Sequence, residues 1–193
     1  MGIDLEEKII NQEGERMEII AIISVCLNVF LIIKLKRTKA YGHLGEIEFE
    51  KFCKRHHIWY KQYGISKEEG FAMGDLFFKL PKLIQASPDF MMVNKDFHFV
   101  ECKVADKETG DHVKIKEYDL KYYQQYHSLA ESKGGSLLFH IHSPQYKESY
   151  LVEMHYIRNL FENGDLETGH YPENHKEFYK VPMEDIRRFG TRV

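Results

Sequence analysis

The chain has 193 residues, 43% hydrophobic and 30% charged, which suits a folded domain with an added segment and excludes an intrinsically disordered polymer. Lysine and arginine number 27 against 30 acidic residues, a formal net charge of −3, so no global basic field marks the chain for nucleic acid and any such surface has to be local. Three scattered cysteines, Cys26, Cys53 and Cys102, exclude a disulfide framework, offer no zinc spacing and point to a reducing compartment for the folded part.

Residues 1–16 read as a short acidic tail. The stretch "MEIIAIISVCLNVFLIIKL", residues 17–35, is nearly continuous aliphatic sequence. As a helix it is ~28 Å long, close to the hydrocarbon thickness of a bilayer, and it is read as a single N-terminal transmembrane helix. A buried core helix is the alternative. A signal peptide fits less well, because acid and not base precedes the apolar run. Lys34, Lys36, Arg37 and Lys39 follow, so the positive-inside rule predicts a single-pass protein of the cell membrane with its C-terminal domain in the cytoplasm. Residues 36–42 form a basic juxtamembrane linker, and residues 43–193 form the folded domain.

In that domain "HLGEIEFEKFCKRHHI" has helical spacing, with Phe49, Phe52, Cys53 and His56 on one face. A strand is predicted near Asp75–Leu80, stopped by Pro81. "PDFMMVNKDFHFVECK", residues 88–103, reads as a hairpin whose second strand is covered on both faces. "VADKETGDHVKIKEYD" is predicted as a charged loop, and "YDLKYYQQYHSLAESKGG" as a helix closed by Gly134 or Gly135. A buried strand ("SLLFHIHSP"), a strand and helix ("SYLVEMHYIRNLFENG"), and a last strand and short helix around Pro182 follow. The order predicts an α/β domain with a mixed sheet.

The hairpin carries charge where apolar residues prevail. Glu101 and Lys103 are two apart in a strand and point to the same face. With a three-residue loop, Asn94-Lys95-Asp96, paired residues sum to 190, so Val93 faces Phe97, Met91 faces Phe99 and Asp89 faces Glu101. Directly opposed side chains lie ~5 Å apart, close enough for two carboxylates to share one divalent ion. Without an ion or a proton they repel. A two-residue loop breaks this parity.

Pro88-Asp89 followed by Glu101-Cys102-Lys103 resembles the signature of the PD-(D/E)XK nuclease superfamily. "GEIEFEKF" before the hairpin, "QQYHSLAESKGGSLLFHI" after it and "YKVPMEDIRRFG" at the end are similar to the RecU-type Holliday-junction resolvases within it. The resemblance implies a restriction-endonuclease-like mixed β-sheet flanked by helices, here preceded by the transmembrane helix. It implies a magnesium-dependent endonuclease acting on DNA, with branched or junction DNA among its substrates, RNA left open, and manganese as a substitute metal. Asp89 and Glu101 would hold the metal, Lys103 would position or activate the attacking water, and a first-helix glutamate would complete the ligands. The helical wheel favours Glu46, whereas the "FE" pair of related families favours Glu50. Gln124 matches a glutamine that relatives place beside the active site, with Gln125 as the alternative. A homodimer suits the cutting of both strands of a symmetric substrate.

The competing readings are structural. Glu101 and Lys103 could be an exposed ion pair on an edge strand, and the Glu46/Glu48/Glu50 run a solvated helix face. A catalytically inactive, membrane-tethered module binding nucleic acid or protein is the rival function. His140 and His142, or His56 and His57, lack the further ligands that zinc needs. Cys102 points away from Glu101 and reads as core. Lys107, His112, Lys114 and Lys116 could hold a phosphate backbone, and Tyr122, Tyr123 and Tyr126 could stack on bases if exposed.

Overall fold

The computed structural model describes residues 41–193, apart from 66–68, 70–71 and 172–175. Helix α1 covers residues 41–55 and ends where His57 adopts a φ of 55°. Edge strand β1 (Trp59–Gln62) follows, then the short helices α2 (Asp75–Lys79) and α3 (Lys82–Gln85). The hairpin strands are β2 (Phe90–Val93) and β3 (Phe97–Val104), followed by β4 (His112–Lys116) and the long helix α4 (Glu117–Glu131). Then come β5 (Ser136–Ser143), β6 (Glu148–Glu153), α5 (Met154–Glu162), β7 (Glu167–His170), β8 (Glu177–Pro182), α6 (Met183–Phe189) and β9 (Thr191–Arg192).

One sheet has the order β1-β2-β3-β5-β6-β9 and is mixed: β3 and β5 run parallel, and the other neighbours run antiparallel. A second, three-stranded sheet has the order β4-β8-β7. The hairpin register is Phe90↔Val100, Met91↔Phe99, Met92↔His98 and Val93↔Phe97, the parity of a three-residue loop. Period-two alternation along β3 then divides its side chains between two cores. Phe99 joins Tyr123, Tyr126, Leu137, Phe139 and Ile141 on the α4 side. Val100 and Cys102 join Phe49, Phe52, Cys53, Phe90 and Leu138 on the α1 side. Cys102 is accordingly a core residue.

Three expectations are corrected. Asp75–Leu80 is not a strand; it is mostly the helix α2, whose Leu76 and Phe78 are exposed, so its apolar residues do not alternate into a core. Residues 112–116 are not loop but strand β4, because Val113 and Ile115 alternate inward and are fully buried. The expected transmembrane helix at 17–35 lies outside the described residues, and no helix among the described residues is long and apolar enough to cross a membrane. Helix α4, for example, has 15 residues and carries Glu117, Asp119, Lys121 and Glu131, whereas a bilayer span takes about 20 apolar residues. The expectation of a single-pass protein anchored in the cell membrane is therefore set aside.

His140, considered above as a zinc ligand, is instead fully buried against Phe49, with ring centroids 5.4 Å apart and no well-formed hydrogen bond at either ring nitrogen, only a weak approach to the Gly45 backbone. Burial, with His142 close by, pushes its pKa down to about 4. A depressed histidine pKa means that the folded state sheds the proton, so stability is lost as pH falls from about 6.5 toward 4, by up to roughly 3 kcal/mol. His140→Leu should be neutral or stabilising by about 1 kcal/mol at pH 7, since it removes two poorly paired polar atoms. It should also flatten the acid-side loss. Urea midpoints of both proteins at pH 7 and at pH 4.5 check this, and equal acid losses would count against it.

Candidate active site

The hairpin, α1 and α4 converge on the two acids and the lysine. The β2–β3 ladder ends at Phe90↔Val100, which leaves Asp89 opposite Glu101. Asp89 is pinned from two directions. Its carbonyl oxygen accepts hydrogen bonds from the Tyr63 N–H (2.9 Å) and the Gly64 N–H (3.3 Å), and its Oδ2 accepts one from the Cys102 N–H (2.7 Å). Gly64 permits this approach, because a Cβ there would lie 2.8 Å from the Pro88 carbonyl oxygen.

Glu101 is 5% exposed, so it needs partners. Its Oε1 accepts two: the Lys103 ammonium, in a short charge-assisted contact, and the Tyr123 hydroxyl at 2.7 Å. Glu101 Oε2 and Asp89 Oδ1 accept no hydrogen bond among the described residues. Two carboxylates each offer one free oxygen at one end of the sheet.

The charges of this cluster oppose and hold one another. Burial, and then the Glu101 carboxylate, push the Asp89 pKa well above its ordinary value. Burial works against the Lys103 ammonium, but Glu101 and Asp89 outweigh it and raise its pKa above that of a free lysine. Lys103 is therefore a fixed cation and hydrogen-bond donor, not a base. Burial drives the Tyr123 phenol well above its usual range, with Glu101 next in effect, so it stays a donor.

Glu46 arrives through a close crossing. A Cβ on Gly45 would lie 3.1 Å from the Lys103 carbonyl oxygen, so α1 packs directly on the end of β3, and the Glu46 charge is felt at Asp89 and Cys102. His43 lies 3.3 Å from Glu46 Oε2. Glu50 points elsewhere, to Lys54 (3.0 Å) and the Tyr60 hydroxyl (3.3 Å). Of the two glutamates, Glu46 is the one whose charge acts on Asp89.

Gln124 is placed differently. It lines a groove of about 350 Å³ between α4 and α5, with Leu120, Met154, Arg158 and Phe161, one step of about 100° around the helix from Tyr123. The helix presents Tyr123 to Glu101 instead, and Asp119, one turn earlier, acts on both Lys103 and Tyr123 through its charge. Asp119 itself lies 3.6 Å from Lys116. Sequence reading treated Tyr123 as a base-stacking candidate and passed over Asp119. The signal for both was their i, i+4 spacing on the face of α4 that meets β3.

Among the described residues no group of three or more His, Cys, Asp or Glu side chains stands ready to hold a metal ion. The donor set nonetheless fits a hard divalent cation. Asp89 and Glu101 supply oxygen ligands with open lone pairs, their mutual repulsion is what a cation relieves, and magnesium usually keeps several of its waters.

No family model and no curated protein matches the chain. Among solved structures it is similar to one described as D212, a nuclease from a fusselovirus, with a TM-score of 0.39, 11% sequence identity, and coverage of 72% of this chain and 77% of that one. A likeness of that degree carries no argument about family or activity.

Proposed function

We propose that the domain is a metal-dependent nuclease that hydrolyses phosphodiester bonds in DNA, with its active site at the open end of the β2–β3 hairpin. The single observation that carries this reading is the Asp89–Glu101–Lys103 cluster: two apposed carboxylates with free oxygens, and a permanently charged lysine held beside them. Asp89 and Glu101 would hold the ion, with Glu46 near enough in charge to act through a bridging water. When bound, a divalent cation supplies Lewis-acid polarisation of a phosphoryl oxygen and a more acidic water. Tyr123 fixes the Glu101 carboxylate by holding its Oε1, which leaves Oε2 free of that bond. The Lys103 ammonium offers a preformed positive charge where a phosphorane oxygen would gain negative charge. The resemblance to PD-(D/E)XK nucleases agrees with this assignment.

Cleavage of supercoiled plasmid and of branched DNA by the full chain tests it, with magnesium, manganese or a chelator. Wild type should cut only with metal. Lys103→Ala should lose about 10²–10³-fold in rate, the usual loss for one preorganised donor. A Lys103→Ala protein that cuts at the wild-type rate would remove the lysine from the chemistry. The other reading is a non-catalytic DNA-binding module, favoured by the contact that already joins Lys103 to Glu101. Binding without cleavage under every metal condition selects that alternative.

A further inference from the structure

The Tyr-rich helix α4 carries buried tyrosines on one face and more accessible ones on the next. Of the tyrosines expected to stack on bases, Tyr123 and Tyr126 are buried: Tyr123 holds Glu101, and Tyr126 donates to the Leu83 carbonyl at 3.1 Å. Next to them on the helix Tyr118 is exposed and Tyr122 is half-buried. Tyr118 is 44% exposed, its hydroxyl lies 3.1 Å from that of Tyr122, and the two ring centroids are 5.1 Å apart. Lys121 places its ammonium 5.0 Å from one ring centre and 4.9 Å from the other, and the charge of Lys82 on α3 reaches Tyr122. Around α4, Tyr122 falls about 60° from Asp119 and so adjoins the face that serves Lys103 and Glu101.

A phosphate chain with free bases matches both chemistries present here, the cations for its backbone and the rings for its bases. A continuous duplex hides its base faces in the stack and offers only its backbone. An unpaired strand offers the bases themselves, and base–aromatic stacking contributes about 1–3 kcal/mol per base. Resting on the nuclease reading above, we infer that Tyr118 and Tyr122, with Lys121 and Lys82, form a platform for unpaired DNA that leads a single strand, or the frayed arm of a branch, into the Asp89–Glu101–Lys103 site. Duplex entering without an unpaired segment lacks this contact, so the platform is a specificity determinant for strand state.

Fluorescence anisotropy of the full chain in chelator, where no cutting occurs, reads the platform separately from catalysis. The probes are a labelled single strand of roughly 12 nucleotides, within the range of common single-strand site sizes, and a blunt hairpin of matching stem length. Wild type should bind the single strand more tightly. Tyr118→Ala with Tyr122→Ala should weaken single-strand binding by about 30-fold or more and change hairpin binding by less than about two-fold. The corresponding double Phe variant, which keeps both rings and loses both hydroxyls, should retain single-strand binding. Equal losses on both probes, no loss on the single strand, or no binding of either probe by wild type would each overturn the platform. The nuclease reading fails separately, through absence of metal-dependent cutting while single-strand binding persists.

Discussion

Asp89→Asn should abolish cleavage and, in the same protein, raise the thermal midpoint measured without metal. The two effects have one cause. Asp89 is held against Glu101 with burial around it, and both raise its pKa well above the ordinary carboxylate value. A carboxyl group whose folded-state pKa is raised contributes stability that is complete below its unfolded pKa and declines as pH rises toward its folded pKa. That contribution is lost as pH rises, and near neutrality the group is a net penalty. Asparagine has the same shape, still accepts the Cys102 N–H through its amide oxygen, and carries no charge to face Glu101. Removing the repulsion should be worth about 1–2 kcal/mol, or roughly 2–8 °C for a chain of this size. Cleavage should fall by about 10³-fold or more, because one of two anionic ligands is gone. Magnesium should raise the wild-type midpoint and leave that of the variant unchanged. A variant less stable than wild type in chelator, or one that keeps the magnesium-induced shift, would show that Asp89 is there for the fold and not for an ion.

The fate of individual residues shows what the sequence could reveal. The Asp89–Glu101 apposition was legible because strand parity is a discrete quantity: once the loop is three residues, every pair in the hairpin is fixed. The wheel favours Glu46 over Glu50, and the close approach of Gly45 to the end of β3 is consistent with the charge of Glu46, not Glu50, acting on Asp89. Gln124 and Tyr123 differ by one residue, yet in a helix that is a rotation of about 100°. The choice between them depends on how α4 rolls against β3, which long-range packing decides. Edge strand β1 was missed because three of its four residues are exposed and only Tyr60 packs on a core, too little for a visible alternation. Strand β4 showed its alternation in Val113 and Ile115, but the surrounding charge masked it. The second sheet that it founds requires pairing with β8, some 65 residues on, which no local pattern reports. The apolar run at 17–35 had the composition, length and charged flanks of a span, and those local features had carried the membrane expectation.

Gly135→Ala should be the most damaging single substitution in the fold, although it adds one methyl group. Helix α4 ends through Gly134 at a φ of 79°, and Gly135 donates its N–H to the Ala130 carbonyl at 3.0 Å before β5 begins. At this turn the chain passes directly over the first residue of β3. A Cβ on Gly135 would stand 1.5 Å from the Phe97 carbonyl oxygen and 2.7 Å from its carbonyl carbon. Those atoms are backbone, so no rotamer change relieves the clash; the start of β3 or the start of β5 has to move. Both are fixed by the parallel pairing that opens with His98↔Ser136, where the two side chains also hydrogen-bond at 3.0 Å. Displacing that pairing shifts the strand that carries Glu101 and Lys103. The expected cost exceeds about 4 kcal/mol, at the exceptional end for point substitutions, and insoluble expression is an equivalent outcome. Gly134→Ala is the control, because nothing lies within 4 Å of its Cβ. It should cost only the left-handed backbone strain, about 1–2 kcal/mol. Urea midpoints of the two variants decide the matter. Similar modest losses would mean that the turn can relax, and that the junction of α4 with β5 does not hold the active-site strand in register.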